Sequence, residues 1–489
     1  MSVALVGAGP GDPGLLTRRG AALLAGADVV VHDRLVDERV LELAPAGAER
    51  IDVGKRRGDD AAAAQRAINE LLIARGRTDK RVVRLKGGDP YIFGRGAEEA
   101  LALAEAGVDY EVVPGVSAAL GVPALAGIPL TLRSVVSSLA VVTGHEPSSG
   151  AAGWAGIVAS GATIVVLMGA ESRAAVAAAL IAAGMAPSTP AAAVMRGATP
   201  TQRTVRTNLA GLGACEIESP ATLVIGAVAA IELASLEDRP LAGRRVVVTR
   251  AGDQAVSLTE ALSSFGAQVL ECPTIAIAPP SDGGEALATA LGRLAEFAWI
   301  AFTSQNAVSA AMERVRDARA LAGPKIAAVG PRTADALSRA GIIADLVAEV
   351  ARGEELASQF PPPAGPGAVL LPVAAEASAT LEERLVAAGW RVERVTAYQT
   401  VPAPLSPERV AAVRGADAIT FASGSAARYF LERAGLGALP KVVASIGPVT
   451  SKVVRACGAH VDVEAQHADA ISLASALATH FAALRCGHA

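Results

Sequence analysis

Aromatic residues make up only 3% of this 489-residue chain, and cysteine occurs four times. Cys215, Cys272, Cys457 and Cys486 are scattered, with no C-x-x-C pair and no His/Cys grouping at metal-ligand spacing. A disulfide framework and a zinc site are therefore excluded, no metal is expected, and a reduced, cytoplasmic protein follows. No basic stretch followed by an apolar segment opens the chain, and no apolar run is long enough to span a bilayer. The longest candidate, "GIVASGATIVVLMGA", holds three glycines, a serine and a threonine and reads as a buried strand with its flanks. Excess charge is lacking too: the net charge is −4, with 19% charged residues. Neither nucleic acid nor an anionic membrane is expected as a partner, so an anionic ligand must be held by local arginines.

What is present is length and alternation. A chain of this size exceeds what one core organises, so two or more domains are expected. Short β-branched runs such as "VALVGA", "ADVVVHD", "TIVVLMGA" and "ATLVIGAV" alternate with alanine-rich helical segments. That alternation predicts α/β layers with mainly parallel strands. The charged stretch "LEDRPLAGR" carries a proline and a glycine and precedes a fresh strand, "RVVVTR". It places one domain over 1–235, a linker over 236–243 and a second domain over 244–489. The second domain repeats itself. Leu258, Leu262 and Gly266 recur as Leu381, Leu385 and Gly389; "WIAFTSQNAVSAAMER" recurs as "AITFASGSAARYFLER", and "IAAVGPRTADALSRAG" as "VASIGPVTSKVVRACG". Two similar α/β lobes with a ligand cleft between them are expected.

The opening "VGAGPGDPGLL" invites a dinucleotide reading, which its residues oppose. A Rossmann turn needs a third glycine and free amides facing pyrophosphate. Here Asp12 takes the third glycine's place, and Pro10 removes an amide. A carboxylate at a helix start also repels phosphate. The loop suits a neutral or cationic ligand approaching bare backbone.

At this point the motifs become recognisable. "VGAGPGDPGLLT" and "VVRLKGGDPYIFGRGAEEA" resemble the two signatures of the tetrapyrrole methyltransferases, the second being characteristic of uroporphyrinogen-III C-methyltransferases. "VVPGVSAALGVPALAGIPLTLR", "VVTGHE", "VLMGA" and "RGATPTQRTVRTNLAGL" follow in the family's order over about residues 1–233. The resemblance implies a two-lobed methylase fold and transfer of two methyl groups from S-adenosyl-L-methionine to uroporphyrinogen III, giving precorrin-2. It places the donor against Pro10, Gly87, Gly88 and Asp89, and near Ile92, Ser117, Ala118, Met168, Gly197 and Gly226. On the substrate side it implies Arg34, Arg95, Glu98 and Arg133, arginine's planar fork being suited to carboxylate arms. Arg95 or Glu98 would assist removal of the pyrrole proton. Many relatives read T-H-R where this chain has Thr131, Leu132 and Arg133. His145 in "TGHE" is family-like, with strand-end hydrogen bonding as its alternative role. A homodimer through the methyltransferase half is implied.

From about Leu241 onward the chain resembles uroporphyrinogen-III synthase, through "VVVTR", "FTSQNAV", "AVGPRTADAL", "AYQTV" and "SIGPVTSKVV". The resemblance implies flavodoxin-like lobes and cyclisation of hydroxymethylbilane with loss of water. Tyr398 matches the family's cleft tyrosine, a proton donor to the departing hydroxyl. Thr249, Arg250, Thr303, Ser304, Asn306, Ser423, Ser425, Gly447 and Thr450 stand at predicted strand ends or helix starts, where they would grip carboxylates or simply cap helices. Relatives often carry a proline where Ala251 stands and a threonine where Ala422 stands. The two halves then fit one tetrapyrrole route toward siroheme or cobalamin, the second making what the first consumes. Nothing resembles a dehydrogenase and ferrochelatase module, so precorrin-2 is the expected end product. A competing expectation joins a corrinoid-pathway precorrin methyltransferase to a non-catalytic two-lobed tetrapyrrole-binding domain.

Overall fold

The computed structural model describes residues 3–54, 60–144, 150–250, 253–350, 352–363, 365 and 367–486. His145 and Ala251 lie outside the described residues. The chain divides into two compact units: residues 1–245 with 260–269 and 477–489, and residues 246–259 with 270–476. Among the described residues no helix is long and apolar enough to cross a membrane.

The first unit opens with β1 (Val3–Gly7), β2 (Val29–His32), β3 (Glu49–Asp52), β4 (Val82–Lys86) and β5 (Tyr110–Val113), which form one parallel sheet in the order β3-β2-β4-β1-β5. Side chains alternate across a strand, and both faces of this sheet are covered. Val3 and Leu5 pack with Val29, Val31, Leu72 and Leu103 on one face, while Ala4 and Val6 pack with Leu24, Val30 and Leu85 on the other. Burial on both faces explains why these strands read as unbroken apolar runs.

A second sheet contains β6 (Leu139–Thr143), β7 (Thr163–Leu167), β8 (Pro190–Met195), β9 (Arg203–Asn208) and β10 (Ala221–Ile225), in the order β6-β7-β10-β8-β9. Only β6 and β7 are parallel neighbours; β10 runs antiparallel to both β7 and β8, and β9 antiparallel to β8. Strand pairing across the chain is mainly parallel, as expected, and this mixed sheet is the main departure from it. β10, buried from Thr222 to Ile225, carries the same β-branched run as a parallel strand would, so composition gives no sign of its direction.

The rest of the chain supplies β11 (Arg245–Val248), β12 (Gln268–Glu271), β13 (Ile275–Ala278), β14 (Phe297–Phe302), β15 (Lys325–Ala328), β16 (Leu346–Val347), β17 (Ala368–Ala374), β18 (Arg391–Pro402), β19 (Ala418–Phe421), β20 (Val442–Ser445) and β21 (Val463–Glu464). They form two sheets, ordered β12-β11-β19-β20-β21 and β13-β18-β17-β14-β15-β16. The first has the 2-1-3-4-5 order of flavodoxin-like folds; the second has the same arrangement when counted from β17, a circular permutation in chain order, with β13 added antiparallel on β18. The repeat is present down to single bonds. Asp345 accepts from the Ile326 amide at 2.8 Å, and Asp462 accepts from the Val443 amide at the same distance.

The copies nevertheless do not coincide with the lobes. β11 and β12 open the first copy, yet β11 pairs with β19 of the second. β17 and β18 open the second copy, yet β17 pairs with β14 of the first. Each lobe is thus assembled from the start of one copy and the remainder of the other. Both chain crossings run between the lobes.

Candidate functional site

In the first unit, three strand ends meet so closely that only glycine fits. A Cβ on Gly7 would lie 2.5 Å from the Gly115 nitrogen and 2.7 Å from the Gly88 carbonyl oxygen; one on Gly115 would lie 2.2 Å from that same oxygen. Gly9 and Gly88 exchange backbone hydrogen bonds at 3.2 and 2.8 Å, which zips the loop after β1 to the loop after β4. Asp89 completes the knot, its carboxylate accepting from the Tyr91 amide at 2.8 Å and the Gly115 amide at 3.0 Å. A Cβ on Gly87, by contrast, would meet nothing within 4 Å, so this stretch of backbone faces open space. Asp12 caps the short turn Pro13–Leu15 by accepting from the Gly14 amide at 2.8 Å, so a carboxylate stands where a Rossmann turn would admit phosphate.

Backbone strain marks the surroundings. Among the described residues six non-glycine positions have positive φ: Phe93, Arg95, Ser134, Met168, Arg196 and Ala198. Each costs on the order of 1–3 kcal/mol and persists only where the surrounding structure enforces it. Phe93 and Arg95 follow Ile92, Arg196 and Ala198 flank Gly197, and Met168 ends β7. Five of the six therefore touch or neighbour residues singled out from the sequence. Met168 and Gly197 lie at the same edge of the second sheet, because β7 and β8 are both antiparallel to β10. The Gly11 Cα faces the Ala198 carbonyl oxygen, which an added Cβ would approach to 3.4 Å, and a Cβ on Gly121 would stand 3.2 Å from the Pro10 ring. Pro10, Gly197 and the helix Ala118–Leu125 thereby converge. Ser117 caps that helix, accepting from the Ala119 amide at 3.3 Å.

Gly226 does not join them. It follows β10, whose last residue Ile225 pairs with Ile164 near the start of β7 and with Ala191 near the start of β8. The antiparallel course of β10 carries Gly226 to the opposite edge, beside Thr163 and about five residues or roughly 17 Å from Met168 along the strands. The structure therefore sets Gly226 apart from Met168 and Gly197.

On the other side of the glycine knot, Arg95 caps the helix Gly96–Glu105 in the left-handed conformation and grips Glu98 with a two-pronged contact, 2.7 Å at each prong. The Glu98 hydrogen bond raises the affinity of Arg95 for its proton. Arg34 and Arg133 are exposed on the loops after β2 and before β6. Tyr91, Ile92 and Phe93 are exposed between the loop of Gly87 to Asp89 and Arg95.

The sequence reading missed a set of charges beneath this loop. Arg84 and Lys86 on β4 are 1% and 2% exposed, and Glu99 is wholly buried. Burial, and then the neighbouring Arg84, push the Lys86 ammonium below its ordinary range. Arg84 also holds Asp33, the residue just after β2, whose side chain is 33% exposed and whose amide donates to the Leu85 carbonyl. A signal existed: two cations inside a five-residue strand "VVRLK" that is buried throughout need buried partners.

In the second unit, Tyr398 donates to the Ser304 hydroxyl at 3.1 Å. The pairing of β17 with β18 slips by one residue just before Tyr398, a bulge of the kind that redirects a side chain. Ser304 and Ser423 cap the helices Gln305–Met312 and Gly424–Ala434, accepting from the Ala307 and Ala426 amides at 3.2 Å each. Thr249 donates to the Thr420 carbonyl and Thr420 to the Val247 carbonyl, both at 2.8 Å, locking β11 against β19. Arg250 donates to the Ala422 carbonyl at 3.3 Å; burial, then Arg332, lower its proton affinity. Thr450 is buried in the first turn of the helix Pro448–Ala456, and Thr303 precedes Ser304 at the end of β14. Tyr398 and Ser304 are thus brought into contact, while Ser423 and Thr450 belong to the other lobe.

The two halves define a pair of enzyme classes. The model of the tetrapyrrole (corrin/porphyrin) methylases matches residues 2–213, and that of uroporphyrinogen-III synthase HemD matches residues 256–475. A porphyrin biosynthesis protein HemD from Ruminiclostridium josui is 39% identical over 411 residues, covering 81% of this chain and 81% of that protein. The chain belongs to the family of that protein: a methyltransferase and a lyase of tetrapyrrole synthesis joined in one polypeptide. A siroheme synthase from Tolumonas auensis is 48% identical over 232 residues, and the chain spans 49% of its length. A uroporphyrin-III C-methyl transferase from Thermus thermophilus, solved with S-adenyl homocysteine, is 43% identical, covers 47% of this chain and 98% of its own, and has a TM-score of 0.41.

Proposed function

We propose that residues 244–489 cyclise hydroxymethylbilane to uroporphyrinogen III and that residues 1–235 methylate the product twice, giving precorrin-2. One observation carries the reading of the first half. Non-glycine backbone strain is concentrated at Phe93, Arg95, Met168, Arg196 and Ala198, at or beside the proposed donor residues Ile92, Met168 and Gly197, and the backbone edge at Gly87 is open. Such an edge, where a Cβ on Gly87 would meet nothing within 4 Å, fits S-adenosyl-L-methionine, whose sulfonium supplies an electrophilic methyl group.

This chain's residues then position and deprotonate. Pro10, Gly87, Gly88, Ile92, Ser117, Ala118, Met168 and Gly197 hold the donor, and Asp89 acts first as the staple of its loop. Arg34, Arg95 and Arg133 receive the carboxylate arms of the macrocycle. Arg95 is occupied by Glu98, and Asp89 by two amides. Asp33, part-exposed, fixed at one oxygen by Arg84 and adjacent to the donor loop, is the carboxylate best placed to take the pyrrole proton. Glu98 is released from that role.

In the second half, the Tyr398 hydroxyl, oriented by Ser304, delivers a proton to the departing hydroxyl group. Thr303, Ser423 and Thr450 offer hydroxyls at strand ends and helix starts, and Arg250 an additional cation. A homodimer through the first half, in the cytoplasm and without nucleic acid or membrane, belongs to the same reading. Two assays test it separately. Calorimetry with S-adenosylhomocysteine should show saturable binding, and absence of heat would remove the donor site. Incubation with hydroxymethylbilane should yield the type III isomer; type I alone would reduce the second half to a binding module.

A further inference from the structure

The buried charges on β4 lie between the two sides of the methyl-transfer site. Glu99 sits in the first turn of the helix Gly96–Glu105, four residues after Arg95. Its Oε1 atom accepts from Lys86 Nζ at 2.8 Å, from Arg84 Nη2 and Nε at 3.1 and 3.2 Å, and from Gln65 Nε2 at 3.4 Å. Its Oε2 atom is buried and meets no donor among the described residues. Lys86 immediately precedes Gly87, and its carbonyl accepts from the Ala8 amide at 2.7 Å, so it anchors the donor loop from below. Arg84 reaches the other way, to Asp33.

One wholly buried carboxylate oxygen therefore ties together the foot of the donor loop, the arginine that fixes Asp33, and the helix that begins at Arg95. Packing alone does not call for such a cluster. Ionic groups cost several kcal/mol each to bury, and apolar residues of similar size commonly serve stability as well or better. Charges that hold one geometry against alternatives are the better-attested use of that cost.

We infer that Glu99 is a positioning residue for methyl transfer, holding the donor loop through Lys86 and Asp33 through Arg84. The inference rests on the donor site proposed above and assigns a role to a residue that touches neither reactant. Glu99→Gln keeps the shape and removes the charge. Arg84 and Lys86 are then left facing each other without a shared counter-ion, and the loop start shifts.

The test is calorimetric titration of the full chain with S-adenosylhomocysteine, in which stoichiometry reports the folded fraction and Kd reports the geometry of that fraction. Glu99→Gln should raise Kd at least tenfold. A purely structural role would lower the stoichiometry and leave Kd within twofold of the parent, and that result overturns the inference. If Glu99→Gln is insoluble, Lys86→Met/Glu99→Gln, which removes one charge of each sign and leaves Arg84 with Asp33, is read by the same criterion. Parent protein that takes up no S-adenosylhomocysteine would overturn the donor site and this inference together, a pattern distinct from a parent that binds and a variant that binds equally well.

Discussion

The two halves of this chain present function in opposite ways. In the first, the proposed donor site is made of backbone: glycines pressed together at Gly7, Gly88 and Gly115, and residues held in left-handed conformations at Phe93, Arg95, Met168, Arg196 and Ala198. In the second, no described non-glycine residue has positive φ, and the candidate groups are hydroxyls in ordinary capping and strand-end positions, with Tyr398 turned by a single bulge. A site that must grip a compact donor with main chain needs strain and close approach. A cleft that surrounds a large polyacid needs dispersed donors, and relaxed secondary structure supplies them.

The largest effect should therefore follow a change to the backbone knot. Gly115→Ala forces a Cβ to within 2.2 Å of the Gly88 carbonyl oxygen, and overpacking of that kind costs about 3 kcal/mol or more. Methyl transfer and S-adenosylhomocysteine binding should fall at least about a hundredfold, while cyclisation of hydroxymethylbilane survives; equal loss of both activities would erase the distinction between the halves. Next, Tyr398→Phe should slow cyclisation by about a hundredfold with an unchanged melting temperature, as expected for loss of a proton donor. Arg95→Lys should lower methyl-transfer turnover by about tenfold without changing the Kd for S-adenosylhomocysteine, since a lysine cannot reproduce the planar fork. Met168→Gly sharpens the contrast further. Relief of a strained φ of 55° should hold or raise the melting temperature while donor affinity drops several-fold. The smallest effect belongs to Thr420→Val, which removes one bond to the Val247 carbonyl and should cost about 1 kcal/mol in denaturant unfolding, with cyclisation retained.

The same contrast governs what the sequence made legible. Backbone constraints are written as glycines and prolines at fixed spacing, so the donor loops stood out, and Asp12 and Pro10 sufficed to turn away the dinucleotide reading. Serines 304 and 423 were identifiable as caps for the same local reason. Properties set by distant pairing were not legible. The strand direction of β10 carries Gly226 to the edge away from Met168 and Gly197, which the sequence does not reveal, since a buried antiparallel strand has the composition of a parallel one. The repeat was visible, but its crossing was not: which copy completes which lobe depends on β11 meeting β19 and β17 meeting β14, more than a hundred residues apart in one case. Arg84 and Lys86 were passed over because charges at alternate strand positions look like a solvent face until both faces prove to be covered, and Glu99 because a carboxylate in the first turn of a helix is ordinary there. Asp33 was overlooked beside the more conspicuous Arg34.

The central proposal is that one chain carries out both steps in sequence. Mass spectrometry of the tetrapyrrole formed from hydroxymethylbilane in the presence of methyl-labelled S-adenosyl-L-methionine tests this directly. A type III macrocycle bearing two labelled methyl groups is the predicted product. A cyclised product without label, or one that takes up label only when preformed corrinoid precursors are supplied, would contradict it.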